Sequence, residues 1–164
     1  MPRILYTGPG GTIVLPDKVL CDRASGGHLI VNPSQEVWER SELSPVDLVQ
    51  WSYLVAATGR AMLNALPALV DGCLNYWEAG NWALNDRANP EGPKRVQTHR
   101  RVHMHIFGRS RKSTDSDWRW GESPRFPDFA ESDVWASRLR PLTDDECTKV
   151  VNEANSILSG YYGV

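Results

Sequence analysis

The chain has 164 residues, of which 41% are apolar and 23% charged, and its formal net charge at pH 7 is −2. This length fits one globular domain, and the composition excludes a wholly disordered chain and a strongly basic nucleic-acid binder. Its apolar stretches are far shorter than the roughly 20 residues that cross a bilayer, so no membrane span is expected. The first residues lack the pattern of a secretory signal, and Cys21, Cys73 and Cys147 form no disulfide or zinc pattern, so a cytoplasmic location is predicted.

The first third of the chain has the pattern of short antiparallel strands. Thr12–Leu15 and Lys18–Cys21 flank the turn residues Pro16 and Asp17. A further apolar run, Leu29–Val31, follows two glycines and ends at an Asn-Pro pair. These segments predict a β meander.

A long amphipathic helix is predicted next. Ser44 can cap free backbone amides, Pro45 suits the first helical position, and Asp47 places a negative charge in the first turn. Apolar side chains then recur every three or four residues as far as Leu66. The spacing predicts a helix from Pro45 to Leu66, packed on the sheet.

Two further β-prone runs, Leu74–Trp77 and Trp82–Leu84, precede a polar loop over Asn85–Lys94 and a clear strand over Arg101–Phe107. This part of the chain is also the most basic. Residues 92–114 contain no acid and seven of the 18 basic residues, which indicates either an anionic ligand or a solvated loop flank.

The last third begins with an irregular region, residues 110–141, in which no period is sustained. Trp118, Trp120 and Phe126 in this region fit either a small hydrophobic cluster or an aromatic wall for a nucleobase. A capping box from Thr143 to Glu146 then starts an apolar helical stripe that ends near Gly160.

The predicted strand 101–107 carries the residues best suited to chemistry. Its two-residue alternation places Arg101, His103 and His105 on one face, roughly 6.6 Å apart along the strand, and apolar residues on the other. A neutral imidazole is a competent nucleophile toward phosphorus, and a guanidinium binds phosphate oxygens. The same spacing also fits an incidental surface pair of histidines or a pair of metal ligands.

The run Arg101-Val102-His103-Met104-His105-Ile106-Phe107 resembles the histidine triad (HIT) signature His-φ-His-φ-His-φ-φ, in which φ is apolar. The upstream order is also similar: a β meander, Gly27-His28 with an apolar strand, a long helix, Leu74-Asn75 and Gly80-Asn81. The resemblance covers roughly residues 12–111. The chain departs from the signature at its first histidine, which is Arg101 here.

The resemblance implies nucleotide phosphate chemistry. In that chemistry His103 attacks the α-phosphorus and forms a nucleotidyl-histidine intermediate, and His105 donates a hydrogen bond to phosphate oxygens or to the leaving group. His28 is implied to support the histidines from a neighbouring strand. Arg101 is predicted to stabilise charge developing on the phosphoryl oxygens; pairing with a nearby carboxylate is the alternative.

Five more polar residues are candidate substrate-binding residues. Gln97 and Thr98 occupy the positions before the strand that contact phosphate or a leaving group in the family, or else belong to a solvated loop. Asn75 and Asn81 are expected either to orient the nucleotide or catalytic strand, or to serve as turn and edge-strand residues. His99 has the strand parity of Arg101 and either extends the histidine row or lies in the loop exit.

The predicted architecture is α+β, a HIT-like fold with an antiparallel sheet of about five strands, a long helix packed on it and an added C-terminal helix. Residues 1–111 form the predicted core domain, and residues 112–164 form an extension packed on the same domain. The predicted function is an enzyme, either a nucleotide hydrolase or a nucleotidyl transferase. Its substrate would be a nucleoside phosphoramidate or a dinucleoside polyphosphate, with no cofactor and with a homodimer as the assembly.

Two alternative functions stay open. One is a catalytically weak nucleotide-binding regulatory protein, which the arginine at position 101 suggests. The other is a metal-dependent hydrolase that uses His99, His103 and His105 as ligands, although no carboxylate lies on that strand.

Overall fold

The computed structural model describes residues 1–164 and contains one five-stranded antiparallel sheet. The strands are β1 (Arg3–Gly8), β2 (Gly11–Leu15), β3 (His28–Asn32), β4 (Cys73–Glu78) and β5 (Met104–Arg109). Their order across the sheet is β1-β2-β3-β5-β4, so β5 lies between β3 and β4 and the histidine run occupies the sheet interior.

A long helix covers one face of this sheet. Helix α1 (Pro45–Ala65) is capped by Ser44, whose side chain accepts a hydrogen bond from the Asp47 amide. Its buried side chains, including Trp51 and Leu54, pack on the inward-facing strand residues Ile13, Leu29 and Ile106. Because side chains alternate along a strand, the neighbours of those strand residues point to the opposite face.

Three more helices follow, α2 (Val96–His99), α3 (Ser132–Ser137) and α4 (Asp144–Ile157). Thr143 and Glu146 form the predicted capping box at the start of α4. Helix α4 packs against α1 and β1, and the chain continues in a wider, π-type turn over Leu158–Tyr162. None of the helices combines the length and the apolar composition that a bilayer crossing requires.

The predicted α+β class, with five antiparallel strands, a long helix and a C-terminal helix, is confirmed. Three local predictions are wrong. Lys18–Cys21 is not a strand, because β2 pairs with β1 on one side and β3 on the other, and the backbone amide of Leu20 bonds to a histidine ring. β1 itself was not predicted.

The other two errors concern the chain beside β5. Trp82–Leu84 belongs to a 3₁₀ turn, because Gly80 (φ +131°) reverses the chain before it. The predicted strand Arg101–Phe107 begins only at Met104 and runs on to Arg109, because the Val102 amide bonds to the Val37 carbonyl instead of a strand neighbour.

Candidate active site

A cavity of about 540 Å³ opens on the sheet face opposite α1. His28 and Ile30 of β3 and His105 of β5 line its base, with His103 just before β5. Residues 16–20 border it on the β3 side and residues 77–83 on the β4 side. His99 and Arg101 complete the lining, so the cavity collects all four histidines of the chain.

Three of these histidines form one hydrogen-bonded chain. Nε2 of His28 lies 2.9 Å from Nδ1 of His105, and Nε2 of His105 lies 2.9 Å from Nε2 of His103. The strand register explains the first contact, since His28 pairs with Phe107, two residues from His105 on the neighbouring strand. The rings of His28, His105 and Phe107 stack on one another, which restrains their orientation.

Backbone groups at both ends of this histidine chain determine which ring nitrogens carry protons. The Leu20 N–H can only donate, so Nδ1 of His28 accepts at 3.2 Å and the neutral ring carries its proton on Nε2. The Arg101 carbonyl can only accept, so Nδ1 of His103 donates to it at 2.8 Å. With three neutral rings, every bond then has one proton: His28 donates to His105, and His105 donates to His103.

The consequence is that Nε2 of His103 carries a lone pair. Protonating any of the three rings would set two N–H groups against each other in at least one bond of the histidine chain. This geometry therefore favours an unprotonated Nε2 of His103 at the cavity.

Burial favours the same neutral forms. Desolvation and the neighbouring His105 and His103 lower the pKa of His28 well below its usual value. Desolvation and His103 lower the pKa of His105 to about 3. Burial also lowers the pKa of His103, against the raising effect of its bond to the Arg101 carbonyl.

Arg101 lies at the cavity with its guanidinium already engaged. Nη1 donates to the carbonyls of Arg100 at 2.7 Å and Gln97 at 3.2 Å, and Nε lies 3.7 Å from a Glu36 carboxylate oxygen. Gly80 packs beside this segment: a Cβ there would lie 3.3 Å from the Arg101 carbonyl oxygen that accepts from His103. Gly80 also has a φ of +131°, a backbone conformation that favours glycine at this position.

Comparison with known proteins bears on the fold. No family model matches the sequence, and no curated protein matches it. The structure is similar to the crystal structure of a hypothetical histidine triad nucleotide-binding protein from Sulfolobus tokodaii strain7, with a TM-score of 0.54 and 12% sequence identity. The alignment covers 98% of this chain and 91% of that one. The chain has a HIT-like fold.

Within the HIT-like fold, the other predicted site residues divide into two groups. Asn81 and His99 line the cavity, whereas Asn75, Gln97 and Thr98 do not. Asn75 is exposed on β4 opposite Phe107, and the side chain of Thr98 bonds to the Arg95 carbonyl within the turn of α2. The structure therefore brings six of the nine predicted residues together at the cavity.

Sequence reasoning missed the apolar lining. Leu20, Ile30, Trp77 and Trp82 all face the cavity. Trp77 lies directly opposite His105 in the β4–β5 register, with ring centroids 6.0 Å apart. The alternation of β4 would have placed Trp77 beside the histidines, but only once the pairing of β4 with β5 is known.

The metal-dependent alternative gains no geometric support. No three or more His, Cys, Asp and Glu side chains are grouped so that they could hold a metal ion. Nδ1 of His99 is occupied within α2, 2.9 Å from both the Thr98 hydroxyl and the Arg95 carbonyl. The sequence spacing of His99, His103 and His105 thus does not become a ligand set in this HIT-like fold.

The basic run between residues 92 and 114 does not form one patch. Lys94 bonds to carbonyls of its own loop, Arg100 pairs with Glu39, and Arg109 is buried. Arg111 lies over the exposed ring of Trp120. Of the seven cations, Arg101 alone lines the cavity.

Proposed function

We propose that this protein is a nucleotide hydrolase or nucleotidyl transferase that acts at the α-phosphate through a nucleotidyl-histidine intermediate. The observation that supports this most is the unprotonated Nε2 of His103 at a cavity of about 540 Å³. The similarity to a solved protein described as a histidine triad nucleotide-binding protein is in keeping with a nucleotide as the ligand.

In the proposed reaction, the Nε2 lone pair of His103 forms a bond to the α-phosphorus. The bond from phosphorus to the leaving group breaks, and the leaving group takes the bonding electrons and a proton from solvent. Water or another acceptor then attacks the phosphorus and gives up a proton to solvent, and the electrons of the P–N bond return to Nε2. The Nδ1–H bond to the Arg101 carbonyl stabilises the positive imidazole of the intermediate.

His105 and His28 have supporting roles in this proposal. The Nε2–H of His105 points at Nε2 of His103 in the free protein, so it is placed to donate to a phosphate oxygen once substrate lies between them. His28 holds His105 in the tautomer that makes this donation possible. Proposed substrates are nucleoside phosphoramidates and dinucleoside polyphosphates.

The experiment is a turnover assay on a panel of adenosine and guanosine phosphoramidates and dinucleoside polyphosphates. Wild type should release a nucleoside monophosphate from one substrate class, and His103→Ala should lose at least about a hundredfold in rate. Retained binding of the nucleoside monophosphate by His103→Ala shows that the variant is folded. Full turnover by His103→Ala would sink the proposal.

One observation favours a second candidate, a nucleotide-binding regulatory protein with weak turnover. The Arg101 guanidinium is engaged by Glu36 and two carbonyls, and it stands where the family signature has a histidine. Nucleotide binding by wild type without product would support this candidate. A gain of turnover in Arg101→His would then identify the arginine as its cause.

A homodimer in the cytoplasm remains part of the proposal. Strand β4 is an outer strand of the sheet, and Tyr76 on it and Val70 just before it are exposed. An unpaired outer strand is a surface on which two sheets can join across a two-fold axis. A sedimentation experiment that finds only a monomer at all protein concentrations would contradict the proposed dimer.

A further inference from the structure

The segment between β5 and α4 packs against residues that line the cavity. Four of its residues each contact one cavity-lining residue: Phe126 contacts Trp77, Phe129 contacts Trp82, Asp133 contacts Lys18 and Trp135 contacts Leu20. The first two contacts support the β4 side of the cavity, and the last two support the residue 16–20 side. We call residues 126–135 the clasp.

On the β4 side, Phe126 fixes the position of the Trp77 ring. The ring centroids of Phe126 and Trp77 are 4.6 Å apart. Phe126 is itself held by Phe107 at 5.2 Å and by the buried Trp118 at 5.6 Å. Trp118 in turn lies against the guanidinium of buried Arg109, whose Nη2 binds the carbonyls of Arg119 and Glu122.

On the opposite side, Trp135 fixes the loop that carries Leu20. Its indole Nε1–H donates to the Leu20 carbonyl at 3.3 Å, and Lys18 pairs with Asp133 at 2.6 Å. The clasp therefore holds a wall on each side of the cavity.

We propose that Phe126 and Trp135 are positioning residues that hold the two apolar walls in place and so determine how tightly a nucleoside binds between them. This inference rests on the proposed function, because the ligand is taken to carry a flat nucleobase. A nucleobase between Trp77 and Leu20 would stack on an aromatic ring that Phe126 also contacts. The clasp touches none of the reacting groups, so it acts on binding and not on the chemical step.

The test compares Phe126→Leu and Trp135→Phe with the matched control Trp120→Phe. Trp120 is an aromatic of the same region that is exposed and contacts Arg111, away from the cavity. The probes are adenosine and guanosine 5′-monophosphate, with binding measured by calorimetry. We expect Kd to rise roughly tenfold in both clasp variants and to stay unchanged in the control, as loss of a well-placed stacking surface predicts.

Two readouts separate positioning from general destabilisation. At saturating substrate, the nucleotidyl-histidine intermediate should form in the clasp variants at a rate within about twofold of the wild-type rate. The variants lose contacts that bind substrate and transition state equally, and they keep the groups that stabilise the transition state. In a Trp77→Leu background, Phe126→Leu should have no further effect on Kd, because Phe126 acts through Trp77.

Clasp variants that bind both monophosphates as wild type does would overturn the inference while leaving the proposed function intact. A wild type that binds neither monophosphate and forms no adduct would overturn both. An equal rise in Kd when Phe126→Leu is introduced into wild type and into Trp77→Leu would also contradict the inference.

Discussion

At the scale of single residues, two backbone groups determine the chemistry of three side chains. The Leu20 amide and the Arg101 carbonyl stand at opposite ends of the histidine chain, and each permits one proton position in the ring it meets. Together they give His103 an unprotonated Nε2 without any acidic partner. A serine hydrolase uses an aspartate to orient its histidine; here main-chain groups and other imidazoles do so.

The sequence predicts the three histidines of this hydrogen-bonded chain, but it does not predict which of their nitrogens carry protons. His103 and His105 follow from the strand motif, and His28 follows from the HIT resemblance at Gly27-His28, where β3 begins. The amide of Leu20 has no signature, because any residue supplies one. Predicting its bond to His28 would require the path of residues 16–27, in which the sequence predicts a strand at Lys18–Cys21.

The histidine chain predicts a pH dependence of stability. Folding lowers the pKa of His28, His103 and His105 below the unfolded value near 6.5, and that of His105 to about 3. Between pH 6.5 and these folded values the unfolded state binds more protons, so stability is full above pH 6.5 and falls as the pH falls. Each histidine contributes up to about 1.4 kcal/mol per pH unit in that window.

The measurement is the free energy of unfolding by urea from pH 7.5 to 5. His105→Asn should lose less unfolding free energy per pH unit than wild type, because one histidine with a lowered pKa is absent. Parallel slopes in the two proteins would contradict a lowered pKa of His105 in the folded state.

At the scale of elements, β5 depends on a close approach of two backbones. Gly108 in β5 contacts Gly26, and a Cβ at position 108 would lie 2.1 Å from the Gly26 carbonyl oxygen. The Gly108 amide also donates to the Gly27 carbonyl at 2.9 Å. The turn before β3 is thereby fixed to β5, which sets the register of His28 against His105.

Gly108→Ala should therefore destabilise the protein by about 1–3 kcal/mol, the usual cost of overpacking a site that cannot yield. Gly160→Ala is the matched control, since no atom lies within 4 Å of a Cβ there. Thermal unfolding of both variants checks this: equal melting temperatures for Gly108→Ala and wild type would contradict the contact.

Element prediction succeeded where local signals were strong. The Ser44–Pro45 start and the apolar stripe gave α1, and the capping box gave α4. It failed at Arg101–His103, where alternation continues but the Val102 amide pairs with Val37, outside the sheet. Alternation reports which face a side chain takes, and it does not report which neighbour the backbone finds.

At the scale of the whole molecule, the two faces of the sheet have different roles. One face carries α1 and α4 and forms the main core, and the other carries the histidines, the cavity and the aromatic cluster around Trp118. The resemblance in sequence motifs ends near residue 111, yet residues 112–137 complete the second face by packing on Phe107 and Leu20. Of the two interpretations of Trp118 and Phe126, the structure places both in the hydrophobic cluster.

This whole-molecule arrangement was beyond sequence reasoning for a physical reason. Residues 110–141 have no sustained period, and their contacts with Trp77 and Leu20 join positions far apart in the chain. Such packing depends on three-dimensional complementarity that leaves no local pattern. The histidine motif predicts the candidate reacting groups, whereas the cavity walls required the fold.

The most direct test of the account is intact-mass analysis after brief mixing with the nucleotide panel. Wild type should gain the mass of one nucleoside monophosphate, with the modification located at His103 and absent from His103→Ala. An adduct that persists in His103→Ala would contradict the account, as would full turnover by His103→Ala.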